Sequence, residues 1–291
     1  MAVHLNQVFF PSTYADLFSA WNRFPHAVPY AGGTGLIRDQ GGQVLELPSV
    51  ILSLDELDEM HRISRTERYL EIGAMVSLNR IIDMGKIVPC VFRFCLEAIA
   101  GPQLRNMATL GGNICMTERQ TDCPAALTAL DAQYELRGGQ SSRWISASRF
   151  NPGPEGVAGP ESTAGAERAP CPTSLNPGEL LTRIRVPLDN WDYSAYKKFT
   201  GYINRGRSVV FLAKTQKDTL SDIRVVYKAD AIFRNKNIES VLIGKQLPLS
   251  QKIAGEFIAQ WGKFLSEIHG GNPSGNEILN YIEMNVYNLS E

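Results

Sequence analysis

Two pairs of consecutive glycines constrain the fold of this chain most, because each pair directly follows an apolar segment. The first lies in YAGGTGL (30–36) and the second in TLGGNI (109–114), 79 positions further on. Glycine permits positive φ and lets backbone N–H groups converge on a phosphate or pyrophosphate. Either segment alone is more often only a tight turn. Together, flanked by Thr and Asn, they suit a dinucleotide, provided that folding brings them close to each other.

Helical and strand patterns divide the chain at a stretch rich in proline and glycine, residues 151–178, which predicts a long loop or linker. The first part has mixed elements: a helix YADLFSAWNRF capped by Ser12 or Thr13, strands HAVPYAGG, QVLELP and YLEIGAM, and a helix starting at Ser77. The patterns after the loop predict strands ELLTRIRVPL, SAYKKFTGY, SVVFLAKT and SDIRVVYKADAIF, then helices KIAGEFIAQWGKFLSEI and NEILNYIEMNVYNL.

These elements predict an α+β protein with two domains. Residues 1–178 form the first domain, with subdomains of about 1–57 and 58–178, and residues 179–291 form a smaller C-terminal α+β domain in which helices pack on an antiparallel sheet. A helix over PCVFRFCLEAIA, a glycine turn in ATLGGNIC, a helix PAALTALDA and a strand QYELRGG are expected within the second subdomain.

Composition limits the classes of partner. The 29 Lys and Arg residues balance 30 Asp and Glu residues among 291, so no global field attracts nucleic acid or an anionic membrane. No secretory leader and no stretch of roughly 20 apolar residues is evident, which predicts a cytoplasmic protein without membrane contact. The five cysteines lack CxxC pairs and metal-site spacings, and the four histidines are scattered, so we predict neither a metal site nor a hydrolytic centre.

Four motifs, AGGTGL, IAGPQLRNMATLGGNIC, TDCPAALTALDA and PGELLTRIRVP, carry a resemblance in their order and spacing. They resemble the FAD subunit of xanthine dehydrogenase and its relatives, a family that includes the medium subunit of aerobic carbon monoxide dehydrogenase. The resemblance covers most of residues 1–200. It implies a two-lobed FAD-binding domain of the vanillyl-alcohol-oxidase (PCMH) type, followed by the smaller C-terminal domain.

The resemblance also implies which residues bind FAD. Its pyrophosphate and neighbouring hydroxyls would lie against two segments, with backbone amides as principal donors. The first segment comprises Val28, Pro29, Tyr30, Ala31, Gly32, Gly33, Thr34, Gly35 and Leu36, and the second comprises Thr109, Leu110, Gly111, Gly112 and Asn113. Gly35 departs from the family, which commonly has Asp there, so the first segment lacks the side chain for one expected hydrogen bond.

Five further residues are cofactor candidates by resemblance, most with a plainer alternative. Ile99 and Leu181 would lie against the isoalloxazine ring, although buried Ile and Leu usually serve the core. Ala100 would be a further contact of the cofactor. Asp122 would accept a hydrogen bond from a flavin hydroxyl, or would cap the helix that begins before Pro124. Lys197 would help to stabilise reduced flavin, or is a solvated surface lysine.

The family implies a role without a catalytic side chain. The chain would be the FAD-binding electron-transfer subunit of a heteromeric molybdenum hydroxylase. It would take electrons from the 2Fe-2S clusters of an iron-sulfur subunit, which serves a molybdopterin-binding large subunit, and pass them to NAD or another acceptor. Two alternatives stay open at this point: a stand-alone flavin oxidase or dehydrogenase of the same fold, and an interaction protein that kept the fold and lost the flavin.

Overall fold

The structure of the chain is a computed structural model that describes residues 7–39, 46–116, 121–139, 141–151, 173–200, 206–269 and 274–289. Most of the predicted long loop and Cys171 lie outside these described residues. Within the described ranges, the strands form three sheets. No helix of this part is long and apolar enough to cross a membrane.

A small parallel sheet opens the fold. Its strands are β1 (Gln7–Phe9), β2 (Val28–Tyr30) and β3 (Val50–Ser53), in the order β1-β3-β2. Helix α1 (Tyr14–Arg23) connects the first two strands, and α2 (Thr34–Asp39) follows β2. Thr13 caps α1, because its Oγ1 accepts a hydrogen bond from the N–H of Asp16 at 3.1 Å.

The part of the predicted strand QVLELP that falls within the described residues is not a strand. Its first three residues lie outside the described part, and residues 46–48 are not in a strand. The strand starts instead at Val50, after Pro48, which has no N–H to donate to a ladder. All four residues of β3 are buried, as a central strand requires.

An antiparallel sheet of five strands forms the second lobe, in the order β4-β5-β8-β6-β7. The strands are β4 (Ile63–Arg65), β5 (Tyr69–Gly73), β6 (Gln133–Gly138), β7 (Ser141–Ser146) and β8 (Glu179–Pro187). Strand β8 is bonded to β5 on one side and to β6 on the other. Grouping ELLTRIRVPL with the C-terminal strands was therefore wrong, because its apolar residues Leu181, Ile184 and Val186 belong to the core of this lobe. We place the boundary after Pro187.

Short helices cover the second lobe. They are α3 (Leu78–Ile82), α4 (Cys90–Glu97), α5 (Pro102–Met107), α6 (Leu110–Cys115), α7 (Cys123–Ala129) and α8 (Ala147–Phe150), with 3₁₀ turns at Asp58–His61 and Gly85–Ile87. Ser77 caps α3 as expected, with its Oγ accepting from the N–H of Arg80. The predicted glycine turn in ATLGGNIC is largely helix α6, capped by Thr109.

The C-terminal part is a four-stranded antiparallel sheet with two long helices. The strands are β9 (Tyr193–Phe199), β10 (Arg207–Gln216), β11 (Thr219–Lys228) and β12 (Ile232–Arg234), in the order β12-β11-β10-β9, and the helices are α9 (Lys236–Glu239), α10 (Gln251–His269) and α11 (Ser274–Asn288). The single strand predicted over SDIRVVYKADAIF is thus two strands joined by a turn. The expected packing of helices on an antiparallel sheet is confirmed.

Both faces of this C-terminal sheet are covered. Side chains alternate along a strand, so neighbouring residues of β10 point to opposite faces. Val210 and Leu212 join the core of the second lobe, whereas Val209 and Phe211 pack with α10 and α11. The sheet is therefore the layer that joins the C-terminal helices to the rest of the chain. Its inner face, which carries Val210 and Leu212 and packs on the second lobe, adjoins the predicted site.

Candidate functional site

The two glycine segments lie against each other. A methyl group added to Gly32 would overlap the backbone carbonyl oxygen of Met107, two residues before Thr109. A methyl group added to Gly35 would overlap the side-chain methyl of Met116, just after α6. Gly32 and Met107, which are 75 positions apart in the sequence, are thus in backbone contact, as a shared dinucleotide site requires.

The glycines have different conformations and different surroundings. Gly33 has a φ of 66°, but the other glycines of the two segments do not adopt positive φ. The case for positive φ therefore applies to one position only. Gly112 is exposed, and an added methyl group would meet only the Thr109 hydroxyl oxygen, at 2.9 Å. Its bare backbone is the surface of α6 that a ligand could approach.

The second segment has already used its backbone donors. The first N–H groups of a helix lack intrahelical partners and are therefore usually free to bind an anion. In α6 they bind other protein atoms instead. The bonds are Leu110 N–H to Val76 O (3.0 Å), Gly111 N–H to Ala74 O (2.8 Å) and Gly112 N–H to Thr109 Oγ1 (3.1 Å).

The first segment is the better source of backbone donors. Thr34, Gly35 and Leu36 form the first turn of α2, where the helix itself provides no carbonyl for their N–H groups. The first bond within this turn is from the N–H of Ile37 to Gly33 O at 3.1 Å. An anion held by backbone amides therefore fits at Thr34–Leu36, while α6 forms the adjoining wall.

Asn113 connects α6 to the next helix. Its Oδ1 accepts a hydrogen bond from the N–H of Cys123 at 3.2 Å, at the start of α7. The side chain of Asn113, a residue of the predicted second segment, thus has its amide oxygen committed to this structural bond. Through it, the second glycine segment determines where Asp122 lies.

Asp122 is buried, and it does not cap α7. It stands at the N-cap position, but its side chain makes no capping bond. Its carboxylate accepts instead from Lys198 Nζ at 2.6 Å and from the Tyr196 hydroxyl at 3.2 Å, both on β9. The capping alternative is therefore excluded, and Asp122 links the second lobe to the inner face of the C-terminal sheet.

A row of polar side chains crosses this inner face. Lys198, Ser208 and Lys228 are paired in register across β9, β10 and β11. Lys228 is 5% exposed, and its ammonium group has no hydrogen-bond partner in the described part of the chain. Burial lowers the pKa of Lys228 to about 8, although the Asp122 carboxylate opposes that shift. The row thus places two ammonium groups near one buried carboxylate.

The structure does not bring Lys197 to the glycine segments. Its Nζ lies 5.2 Å from the ring centre of Phe199 and 5.3 Å from that of Tyr281 on α11. These contacts belong to the outer face of the sheet, whereas Tyr196 and Lys198 face Asp122. Sequence inspection missed Lys198, although strand alternation over SAYKKF could have identified it by pairing Lys198 with Tyr196.

Ile99 and Leu181, the two candidates for the isoalloxazine ring, differ in exposure from each other and from Ala100. Leu181 is 2% exposed within β8, which the core of the second lobe explains without a ligand. Ile99 is half-buried against that core, and Ala100 is exposed with a φ of 41°. Ile99 and Ala100 therefore form the accessible turn, and Leu181 lies behind it in the packing.

The chain also has an open groove of about 660 Å³ away from these segments. It lies between α1 and the five-stranded sheet and contains none of the candidate residues. Charged side chains dominate its lining, among them Glu71 and Arg183, which are paired at 3.1 Å. Among the described residues, no group of three His, Cys, Asp or Glu side chains is arranged to hold a metal ion.

A profile of the family described as "FAD binding domain in molybdopterin dehydrogenase" matches residues 4–189. The chain belongs to this family. The match ends just after β8, so the family's domain includes the strand that follows the long loop. Membership confirms the resemblance, the α+β fold and FAD as the cofactor of these FAD-binding domains.

Several curated relatives of this FAD-binding domain are medium chains of dehydrogenases. The glyceraldehyde dehydrogenase medium chain of Sulfolobus acidocaldarius is 30% identical over 75% of this chain and 74% of its own length. The carbon monoxide dehydrogenase medium chain of Afipia carboxidovorans is 27% identical over 81% of this chain and 79% of its own. The FAD-binding chain is thus similar to medium subunits over most of its length.

Solved structures support the fold independently. Quinoline 2-oxidoreductase from Pseudomonas putida 86 matches all of this FAD-binding chain and 98% of its own, with a TM-score of 0.77 at 19% identity. A Cu,Mo-CO dehydrogenase matches 89% of this chain and 86% of its own, with a TM-score of 0.71 at 24% identity. The arrangement of lobes and C-terminal sheet is therefore the fold of the matched chains in these two structures.

Proposed function

We propose that the chain is the FAD-binding electron-transfer subunit of a heteromeric molybdenum hydroxylase. It takes electrons from the 2Fe-2S clusters of a partner subunit and passes them from FAD to NAD or another acceptor. The observation that carries the proposal is the contact between the glycine segments, in which Gly32 packs on Met107 and the bare backbone of Gly112 remains exposed. Bound FAD supplies the redox chemistry, since it stores a pair of electrons.

The residues of the site fit the parts of FAD. The first-turn amides of α2 would hold the pyrophosphate, because the amides of α6 are engaged elsewhere. The exposed backbone of Gly112 would let the cofactor lie close to α6. Asp122 would accept from a flavin-side hydroxyl while it is held by Tyr196 and Lys198. Ile99 and Ala100 would contact the isoalloxazine ring and exclude water from one side of it.

The names of the relatives suggest which partner subunits this chain has. The named relatives are medium chains, a designation that implies smaller and larger companions. We therefore propose an iron-sulfur subunit and a molybdopterin-binding subunit for this chain as well. The two relatives named above carry glyceraldehyde and carbon monoxide in their names, so we propose a complex of the aldehyde or carbon monoxide dehydrogenase type rather than of the xanthine dehydrogenase type. NAD as acceptor and a cytoplasmic location stay predictions.

A visible absorption spectrum of the purified chain tests the cofactor. We expect the bands of bound oxidised flavin, either as isolated or after reconstitution with FAD. A colourless chain that cannot be reconstituted would contradict the proposal. Copurification of a tagged chain, followed by metal analysis for molybdenum and iron, tests the partners. An active flavoprotein that copurifies with neither subunit would favour the stand-alone oxidase instead.

A further inference from the structure

The turn between α4 and α5, residues 97–101, is built around one guanidinium group. Nη1 of Arg105 lies 3.1 Å from Glu97 O, 3.0 Å from Ile99 O and 2.8 Å from Ala100 O. We propose that Arg105 is a positioning residue for the flavin, because it holds Ile99 and Ala100 in the shape that contacts the isoalloxazine ring. This inference rests on the proposed function, which assigns those two residues to the ring.

Three converging carbonyl oxygens need a cation. The last carbonyls of a helix have no intrahelical partner and carry the negative end of the helix dipole. Here Glu97 O belongs to the end of α4, and the oxygens of Ile99 and Ala100 point to the same place. All three oxygens lie around the single Nη1 of Arg105, so its two N–H groups are shared among three acceptors. The charged guanidinium therefore holds this turn through one nitrogen.

The turn contains a backbone conformation that needs holding. Ala100 has a φ of 41°, in the left-handed region that residues with a Cβ rarely adopt. The guanidinium that binds the carbonyls on both sides of this φ angle opposes relaxation of the turn. The Nε of Arg105 is buried without a hydrogen-bond partner in the described part of the chain, so the guanidinium is shielded from water on that side.

The same residue connects the turn to the glycine segments. Arg105 lies on α5, and its own N–H bonds to Gly101 O at 3.1 Å at the start of that helix. The helix ends at Met107, whose carbonyl packs on Gly32. Arg105 therefore sets the distance between the ring-contacting turn and the segment that holds the pyrophosphate.

The experiment compares Arg105→Met with the unaltered chain during FAD reconstitution. Loss of a hydrogen-bonded charge should raise the Kd for FAD by about tenfold or more. The visible bands of bound flavin should shift, and its midpoint potential should fall, because removing a nearby positive charge disfavours anionic reduced flavin. The double variant Arg105→Met/Ala100→Gly should recover much of the affinity, since glycine adopts positive φ without strain.

Arg93→Met is the matched control. Arg93 lies on the adjacent helix α4. Its Nε is 3.9 Å from Oε1 of Glu97, a long distance that makes this a weak surface ion pair. We expect its FAD affinity, spectrum and potential to match those of the unaltered chain. Arg105→Lys, which keeps the charge, should lie between Arg105→Met and the unaltered chain, and it replaces Arg105→Met in all comparisons if that variant does not fold.

Hydrogen exchange separates this inference from the proposed function. The N–H of Ile99 bonds to Leu96 O at 3.1 Å, so Arg105→Met should speed its exchange even without flavin. Unchanged exchange, or unchanged affinity, spectrum and potential in a folded Arg105→Met chain, would overturn the positioning role. An unaltered chain that binds no FAD while Arg105→Met speeds the exchange would overturn the proposed function and leave the turn's dependence on Arg105 intact.

Discussion

Lys228 is the residue whose environment is hardest to explain by stability alone. Its ammonium group is buried without a hydrogen-bond partner in the described part of the chain, and Lys198 of the same row carries a second positive charge. Burying an unpaired cation is costly, so such groups are usually retained for a reason other than stability. The neighbouring carboxylate, Asp122, ties this row to the proposed cofactor site.

Lys228→Met should raise the free energy of unfolding near neutral pH. The pKa of Lys228 is lowered to about 8 in the folded chain, so the folded state binds fewer protons than the unfolded state between about pH 8 and 10.5. The unaltered chain therefore gains stability as pH rises through that window. The variant should lack this gain. Below pH 8 its free energy of unfolding should exceed that of the unaltered chain by about 3 kcal/mol.

Denaturant titrations of both chains from pH 7 to pH 10.5 measure this difference. The exposed Lys252→Met serves as the control and should follow the unaltered chain. Parallel curves for Lys228→Met and the unaltered chain would mean that Lys228 is paired or solvated in solution.

Gly32 is required for contact between the two glycine segments. A methyl group there has no room, because the Met107 carbonyl occupies its place and backbone cannot move aside cheaply. Gly32→Ala should therefore separate the segments and abolish FAD reconstitution, and we expect a loss of roughly 1–3 kcal/mol in stability from overpacking. Flavin absorbance after reconstitution and thermal melting measure the two effects. Gly139→Ala, which adds a methyl group in open space, should leave both unchanged.

At the scale of elements, local patterns were reliable and pairing was not. Thr13 and Ser77 could be recognised as caps because capping depends on neighbouring residues only. The sheet to which β8 belongs could not be recognised in the same way, because the sequence of an apolar strand does not indicate which strands it pairs with. Likewise, SAYKKF contains two adjacent lysines. Lys198 binds Asp122 because it lies on the inner face of the C-terminal sheet, whereas Lys197 lies on the outer face.

Helix α6 shows why a glycine pair was mistaken for a turn. Glycine is a poor helix former, but the Thr109 cap and bonds from Leu110 and Gly111 to residues 74–76 outweigh that preference. Tertiary contacts of this kind are invisible in a local pattern. The convergence of the two segments was nevertheless predicted, because their flanking residues suited one ligand.

Gly112→Leu tests whether α6 forms a wall of the cofactor site. Position 112 is exposed and helical, so leucine should leave stability within about 1 kcal/mol of the unaltered chain, as the gain in helix propensity offsets disturbance of the Thr109 cap. FAD binding should be lost, since the side chain would cover the bare backbone. Equilibrium unfolding and flavin fluorescence give the two results. Gly255→Leu on α10 is the control, and full flavin content in Gly112→Leu would show that α6 is misassigned.

At the scale of the molecule, the inner face of the C-terminal sheet joins its two parts. Val210, Leu212 and Val226 share the core of the second lobe, and the Asp122–Lys198 pair crosses the same boundary. The candidate site therefore depends on both parts of the chain. The family profile ends at residue 189, but the chain's own contacts extend the site beyond that point.

Cleavage between β7 and β8 should leave the protein assembled. A protease site engineered within residues 152–172 separates two fragments, yet β8 in the second fragment is bonded on both sides to strands of the first. We expect the fragments to coelute in size-exclusion chromatography and to retain flavin until denaturant is added. The same protease site placed in the turn between β10 and β11, at 217–218, serves as the comparison. Spontaneous separation of fragments cleaved within 152–172 would contradict the central position of β8.

The position of β8 has a consequence for the order in which the chain can fold during synthesis. Strands β5 and β6 leave the ribosome with a gap between them that only residues 179–187 can fill. Until then, both strands have an unpaired edge, and the apolar residues that β8 buries have no cover. The second lobe therefore cannot be completed until nearly two thirds of the chain has been translated. During that interval the nascent chain should depend on chaperones or slow translation to avoid aggregation.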